Sequence, residues 1–383
     1  MVRTIRIIPR FAKETIINQM NTLKAIANIT IIFILLGSCS ITKSNKIDGV
    51  EELLTCKVNY LPIGNAALNK IAFGSCQSQD SYIPTLATIV ENKPDIFIYL
   101  GDNIYGDTEN MKILAAKYSK LCANSNFKSL VATCPILATW DDHDYGANDS
   151  GREYPQKENS KSLFLEFWGE PKDSDRHKHE GIYTSYYIGP EGKKVQIILL
   201  DTRTFRSSLL KANGKPYRND YRPNNSKSAT ILGEAQWKWL AGELEKTADL
   251  RIIGSSTQFG IEYNGYESWA NFPLEREKML RLIKEKKAEH LIFISGDVHY
   301  AELSKIEAEA LYPIYDLTSS GLNKDWPRVE PNKNRVGSAC RLFNFGSLEI
   351  DWEQRKLNFV IAEHTKKVGL KQSINFSDLE FKE

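Results

Sequence analysis

The sequence predicts an α/β layered fold, and three observations carry that expectation. Short apolar runs rich in β-branched and aromatic residues alternate along the chain with stretches of helical spacing. The run over residues 96–100 is continuously apolar and reads as a strand buried on both faces. Such strands end, again and again, in polar residues able to bind a metal, at Cys76, Asp102, Asp142, Gln258 and Asp297. Side chains of that kind at the carboxyl ends of buried strands predict one shared site at one edge of the sheet.

Taken in order, residues 70–73 form the first strand, which ends in Gly74-Ser75-Cys76-Gln77. Residues 82–92 have helical spacing (Ile83, Leu86, Ile89, Val90) and stop at Lys93-Pro94. The strand over 96–100 opens into Gly101-Asp102-Asn103-Ile104-Tyr105. Residues 110–121 read as a helix, and 135–140 as a short strand leading to Asp141-Asp142-His143-Asp144. A helix over 162–168 precedes strands over 183–188 and 195–200, the second ending in Asp201-Thr202-Arg203. An amphipathic helix over 232–245 is followed by a strand over 251–254 that runs into Ser255-Ser256-Thr257-Gln258. A helix over 276–287 leads to a strand over 291–295 and Gly296-Asp297-Val298-His299. A strand over 314–318 and an antiparallel pair over 343–352 and 356–363 close the chain.

The 383 residues, 42% of them hydrophobic, suffice for a sizeable core. The net charge of +2 conceals a split: residues 1–38 carry +4, and the remainder, with 45 basic against 47 acidic residues, carries −2. A nearly neutral body argues against nucleic-acid binding through a basic surface. Residues 1–38 read as a lipoprotein-type signal peptide, in which Met20 is a better start than Met1. Leu36-Gly37-Ser38-Cys39 resembles a bacterial lipobox, so cleavage would leave a lipidated Cys39. A plain membrane anchor or an ordinary secretory signal is the alternative. Each places the body outside the cytoplasm, and lipidation anchors it in the cell envelope. Residues 39–66 form a tether and 67–383 the domain, expected as a monomer. Export permits disulfides. Five cysteines besides Cys39 leave at least one unpaired, and Cys122 with Cys134, close in sequence, form the expected bridge.

The strand-end residues suit metals. Asp102 can bridge two cations, Tyr105 offers a phenolate oxygen, His299 an imidazole, and Asp141, Asp142 and Asp297 further hard oxygens. Several carboxylates in one place repel, so a site of this composition demands cations. Two metals would clamp a phosphate ester and promote attack by water.

The motifs Phe73-Gly74-Ser75-Cys76-Gln77, Gly101-Asp102-Asn103-Ile104-Tyr105, Thr139-Trp140-Asp141-Asp142-His143-Asp144, Leu200-Asp201-Thr202-Arg203, Leu232-Gly233-x-x-Gln236-Trp237, Ser256-Thr257-Gln258 and Gly296-Asp297-Val298-His299 occur in one order. In that order the sequence resembles the alkaline phosphatase D (PhoD-like) family of calcineurin-type metallophosphoesterases. The resemblance implies a four-layer α/β/β/α sandwich with a two-metal site at the strand ends. It implies Cys76, Asp102, Tyr105 and His299 around a first metal, iron in relatives, with Asp102 bridging. Asp142 and Asp297 would hold a second, calcium in relatives; zinc, manganese or magnesium are the alternatives. Gln258 stands where metallophosphoesterases usually place a histidine ligand and ranks below these. His143 matches the position that contacts phosphate and assists the leaving group. Asp141 is either a ligand or a carboxylate that orients His143. Arg203 pairs either with a phosphate oxygen or with a structural carboxylate. Relatives often carry a separate β-domain before the catalytic one, and the 36 residues between Cys39 and Cys76 are too few for it. The implied activity is hydrolysis of phosphate mono- or diesters. The alternatives are a phosphodiesterase, phospholipase-D-like, acting on lipids or polymers, and a non-catalytic surface protein that keeps the fold.

Overall fold

The computed structural model describes residues 47–56, 60–212 and 220–382. The expected leader, Cys39 and residues 213–219 lie outside the described residues.

The chain begins with β1 (Lys70–Gly74), α1 (Pro84–Asn92) and β2 (Ile96–Leu100). Then come α2 (Met111–Ala123), α3 (Ser125–Thr133), β3 (Ile136–Thr139), the single turn α4 (Asp142–Tyr145) and α5 (Lys157–Phe167). β4 (Thr184–Ile188) and β5 (Val195–Leu199) precede a two-stranded ribbon, β6 (Leu210–Lys211) and β7 (Tyr221–Arg222). α6 (Gly233–Glu243), β8 (Leu250–Ser255), α7 (Pro273–Glu285) and β9 (Leu291–Ser295) alternate. β10 (Ala301–Ile306), β11 (Ile314–Ser319), β12 (Arg335–Cys340), β13 (Asn344–Asp351), β14 (Lys356–Glu363) and β15 (Val368–Asn375) complete the fold. Local chemistry sets several boundaries. Asn110 and Asn124 accept backbone N–H groups at the starts of α2 and α3. Pro84 and Pro273 occupy the first helical positions of α1 and α7, where no N–H is needed.

Two sheets result. One has the order β15-β14-β13-β1-β2-β3, and the other β12-β10-β11-β9-β8-β5-β4. β1, β2 and β3 run parallel, as do β5, β8, β9 and β11, with antiparallel strands added outside each set. β2 shows the layering residue by residue. Ile96, Ile98 and Leu100 join a core shared with Ile197, Leu199 and Ile252 of the second sheet. Phe97 and Tyr99 instead join Leu114, Tyr118, Phe127 and Phe164 of the helices beneath. Alternation of the strand thus feeds two different cores, which is why the run is apolar throughout. On the far side, α6 and α7 pack through Trp237, Leu240, Met279 and Ile283. The result is the expected α/β/β/α arrangement.

The structure adds seven elements that hydrophobic patterning does not reveal: α3, the single turn α4, the ribbon strands β6 and β7, and β10, β12 and β15. β10 is buried but contains Glu302 and Ser304, which read as surface residues until Arg335 and Asn332 are found against them. β12 and β15 are edge strands with little apolar signal, β12 half-buried and β15 mostly exposed.

Two expectations need correction. The bridge is Cys56–Cys122, with Cα atoms 6.1 Å apart, whereas Cys76, Cys134 and Cys340 are free and buried. Cys134 caps the end of α3, and that helix separates it from Cys122, so proximity in sequence does not become proximity in space. Residues 47–56, expected in the tether, pack on the domain instead. Val50 and Leu54 are buried among the helices of the first sheet, and the Ile47 N–H donates to Asn159 Oδ1 at 2.8 Å. Among the described residues, no helix is long and apolar enough to cross a membrane.

Because the bridge closes a loop of 66 residues, Cys56→Ser should lower unfolding stability by about 2–4 kcal/mol. A non-reduced peptide map should join Cys56 to Cys122 and leave Cys134 alkylatable after unfolding. A Cys122–Cys134 peptide would contradict the structure.

Candidate metal centre

The ends of β1, β2 and β3 in one sheet and of β9 in the other converge. The loop after β1 brings Cys76, that after β2 brings Asp102 and Tyr105, that after β3 brings Asp141 to His143, and that after β9 brings Asp297 and His299. Four of these sit in the left-handed backbone region: Cys76 at φ 59°, Asp102 at 48°, Asp297 at 74° and His299 at 61°. Non-glycine residues rarely adopt that region, and they cluster at sites where the surroundings dictate the direction of a side chain. Gly101, at φ 99°, lets β2 pass so close to β3 that a Cβ there would lie 2.5 Å from the Asp141 nitrogen.

Three sets of ligand atoms form, each within 4.8 Å: Cys76, Asp102 and His299; Asp102, Asp142 and His143; and Asp102, Asp141, Asp142 and Asp297. Asp102 belongs to all three. The Tyr105 hydroxyl lies 2.9 Å from His299 Nε2, which brings it to the first set. Cys76 Sγ is 3.3 Å from Asp102 Oδ2 and 3.0 Å from Ser320 Oγ. Ser320 Oγ also accepts the His299 N–H at 2.8 Å, so one hydroxyl supports two ligand candidates.

The electrostatics fit cations at these positions. Burial pushes the Asp102 and Asp297 carboxyls well above the usual range, and neighbouring acidic groups push the same way. Burial also raises the Cys76 thiol to about 12. Burial would raise Asp142 as well, but the His143 and Arg203 charges outweigh it and hold that carboxyl low. His299 is pushed down to about 4 by burial and then by His143, so it presents a neutral, ligating imidazole. Asp141 Oδ2 and Asp142 Oδ1 are buried without hydrogen-bond partners among the described residues. Such oxygens are costly unless something positive meets them. The donor set of thiol, phenol, imidazole and carboxylates is one that a softer and a harder cation can share.

His143 is held from two sides. Its Nδ1 lies 2.6 Å from Asp107 Oδ1, and its carbonyl accepts the Gly106 N–H at 2.8 Å. Burial lowers its pKa, but Asp142, Asp102 and Asp107 together push it up to about 10. With Nδ1 engaged, Nε2 is the nitrogen left for the cavity that His143 lines. That cavity is about 280 Å³ and also exposes Asp102, Asp142, Asp297 and His299.

Arg203 is not free to grip a phosphate. It is fully buried; its Nε donates to Asp141 Oδ1 at 2.5 Å and its Nη1 to Glu267 Oε2 at 2.8 Å. The structural-carboxylate alternative is the one observed. Asp201 positions it: Oδ1 accepts from Trp140 Nε1 and from the Arg203 and Thr204 N–H groups, while Gln236 clamps the Asp201 backbone. Asp141 therefore pairs with Arg203 through one oxygen, and the carboxylate that orients His143 is Asp107. Gln258 donates through Nε2 to Glu302 Oε1 and Thr318 Oγ1, and its Oε1 has no partner among the described residues. Asp144, buried and raised to about 8 chiefly by burial, accepts the N–H groups of Asp102 and Asp141 and so ties two ligand loops together. Sequence reasoning missed Asp107 and Asp149, whose N–H donates to Asp142 Oδ2 at 2.6 Å. Asp107 lies two residues beyond the Gly101–Tyr105 motif, and its left-handed φ of 47° is the structural sign of a dictated direction.

Since Asp102 is shared, Asp102→Asn should reduce cation binding at both positions. Asp142→Asn should spare the position served by Cys76 and His299. Elemental analysis of metal per chain checks this, and equal loss in both variants would contradict separate sets. Stripping the cations with a chelator should lower the melting temperature, because the buried carboxylates lose their counter-charge.

Residues 71–324 match the PhoD-like phosphatase family. The chain is 23% identical over 308 residues to alkaline phosphatase D of Bacillus subtilis (strain 168), covering 68% of this chain and 50% of that protein. It therefore spans about half the length of this curated relative. The fold is similar to the solved structure of PhoD, with a TM-score of 0.64 at 18% identity, covering 82% of this chain and 70% of the other. It is also similar to GAP50, described as the anchor in the inner membrane complex of Plasmodium, with a TM-score of 0.52 at 13% identity, covering 83% and 90%. With the matched region running from β1 to just beyond β11 and enclosing every ligand candidate, the chain belongs to the PhoD-like phosphatase family.

Proposed function

We propose that this protein is a metal-dependent phosphoric ester hydrolase, exported and anchored in the cell envelope through a lipidated Cys39. The observation that carries the activity is the sharing of Asp102 by three ligand sets beside a cavity lined by His143. Cys76, Asp102, Tyr105 and His299 would hold one cation, for which iron is proposed; Asp102, Asp142 and Asp297 would hold the other, calcium. When bound, the cations neutralise the carboxylates, polarise phosphoryl oxygens and make water a better nucleophile.

The protein's own groups supply the rest. Asp107 fixes the His143 ring so that Nε2 is available to the ester. A proton held at that nitrogen can pass to the departing alcohol oxygen, the usual task of a positioned imidazole. Burial of the strand-end loops excludes water from behind the ligands and strengthens each charge interaction in front. Arg203, locked between Asp141 and Glu267, keeps the Asp142 loop in place. The Cys56–Cys122 bridge supports export, since disulfides persist in oxidising compartments.

The test is turnover of p-nitrophenyl phosphate and bis-p-nitrophenyl phosphate by protein starting after Cys39, with metal content measured in parallel. Turnover is expected, with one ester class preferred. Asp102→Asn should abolish it, whereas Asp107→Asn should lower kcat by roughly 10- to 100-fold while metal content stays unchanged. Folded, metal-loaded protein that hydrolyses neither ester would refute the enzyme.

A further inference from the structure

One wall of the cavity is left idle by this mechanism. Tyr266 and Trp326 both line it and meet with ring centroids 6.5 Å apart at 77°, forming an aromatic corner. Trp326 also faces His299 at 6.2 Å, so the corner stands beside the ligand candidates. At 36% exposed, Trp326 is not a core residue held by packing. Glu330 lines the same cavity, and its Oε1 is buried with no hydrogen-bond partner among the described residues. The neighbouring acids are already engaged: Asp149 accepts the Tyr221 hydroxyl, and Glu267 pairs with Arg203 and Arg206.

Two ring faces at a right angle beside an unpartnered carboxylate oxygen attract a cation and repel an anion. Ammonium and quaternary ammonium groups are what such aromatic corners hold best. The phosphate itself would be met elsewhere, at the metal ligands and at Lys324, whose Nζ stands 4.5 Å over the Tyr105 ring. We infer that the site takes phosphate esters whose alcohol carries an ammonium or quaternary ammonium group, with Trp326, Tyr266 and Glu330 holding that group. The substrate class rests on the hydrolase reading above; the cation subsite does not. In hydrolysis, water adds its oxygen to phosphorus as the P–O bond to the amino alcohol breaks. The alcohol leaves with a proton on its oxygen, and phosphate, or a phosphate monoester, remains. Such an ester can be a free metabolite or the headgroup of a lipid.

The first experiment is calorimetric titration of the metal-loaded protein with choline and with 3,3-dimethyl-1-butanol, its uncharged isostere. Choline should bind about tenfold more tightly, the size expected of a desolvated cation–π contact. Trp326→Ala and Glu330→Gln, checked for an unchanged melting temperature, should erase that difference. Equal binding of the two ligands, no binding of choline, or folded variants that bind choline as before would overturn the inference.

The second experiment compares kcat/KM for choline phosphate, glycerol phosphate, and vesicles of phosphatidylcholine or phosphatidylglycerol. A preference for choline esters that Glu330→Gln removes supports the substrate class. Preference among the free esters or only among the vesicles then identifies the source. Equal turnover of all four overturns the substrate class and leaves the hydrolase standing. Choline binding without turnover of any ester overturns the hydrolase and leaves the cation subsite.

Discussion

Mutual repulsion among buried carboxylates is the constraint to which the rest of this structure answers. Asp102, Asp142 and Asp297 offer oxygens within one small volume, with Asp141 at its edge. In a buried setting each such charge costs several kcal/mol unless it is paired. The fold answers on two sides. Toward the interior, Arg203 takes one oxygen of Asp141 and reaches Glu267, which in turn pairs with Arg206. Toward the cavity, His143 faces Asp102 and Asp142 from one side, and the remaining oxygens are left for cations.

That division explains why an arginine of the family motif is wholly buried. Removing Arg203 from the chain would leave Asp141 uncompensated beside the ligands and Glu267 with Arg206 alone. It is also why Asp201 and Gln236 are spent on holding a backbone turn: the guanidinium must reach two carboxylates at once, which a planar fork can do and an ammonium cannot. Asp144 plays the matching role on the first sheet, where one carboxyl gathers the N–H groups that open the Asp102 and Asp141 loops.

Much of this was legible in the sequence, for identifiable reasons. Parallel strands buried on both faces are apolar from end to end, so β2 and β9 stand out with the same bounds in sequence and structure. The polar residues that follow them are the ligand candidates, because a strand's end and its loop's beginning are adjacent in both. What stayed hidden depends on partners distant in the chain. Glu302 looks like a surface residue until Arg335 is placed against it. Arg203 looks like a phosphate binder until Glu267, 64 residues away, is found on its other nitrogen. The bridge of Cys122 to Cys56 rather than Cys134 is of the same kind, since α3 turns a short sequence distance into a spatial one. Asp107 was in plain view, but which ring it would reach depended on how two loops meet.

The docking of residues 47–56 also decides how force entering from the N-terminal side would travel through the domain. Ile47 is hydrogen-bonded to Asn159 in α5 and Cys56 is covalently joined to Cys122 in α2. A pull on the chain at Ile47 would therefore be borne by two helices of the first sheet before it reached β1 and the Cys76 loop that follows it. The ligand loops are in this sense mechanically insulated from whatever is attached ahead of them.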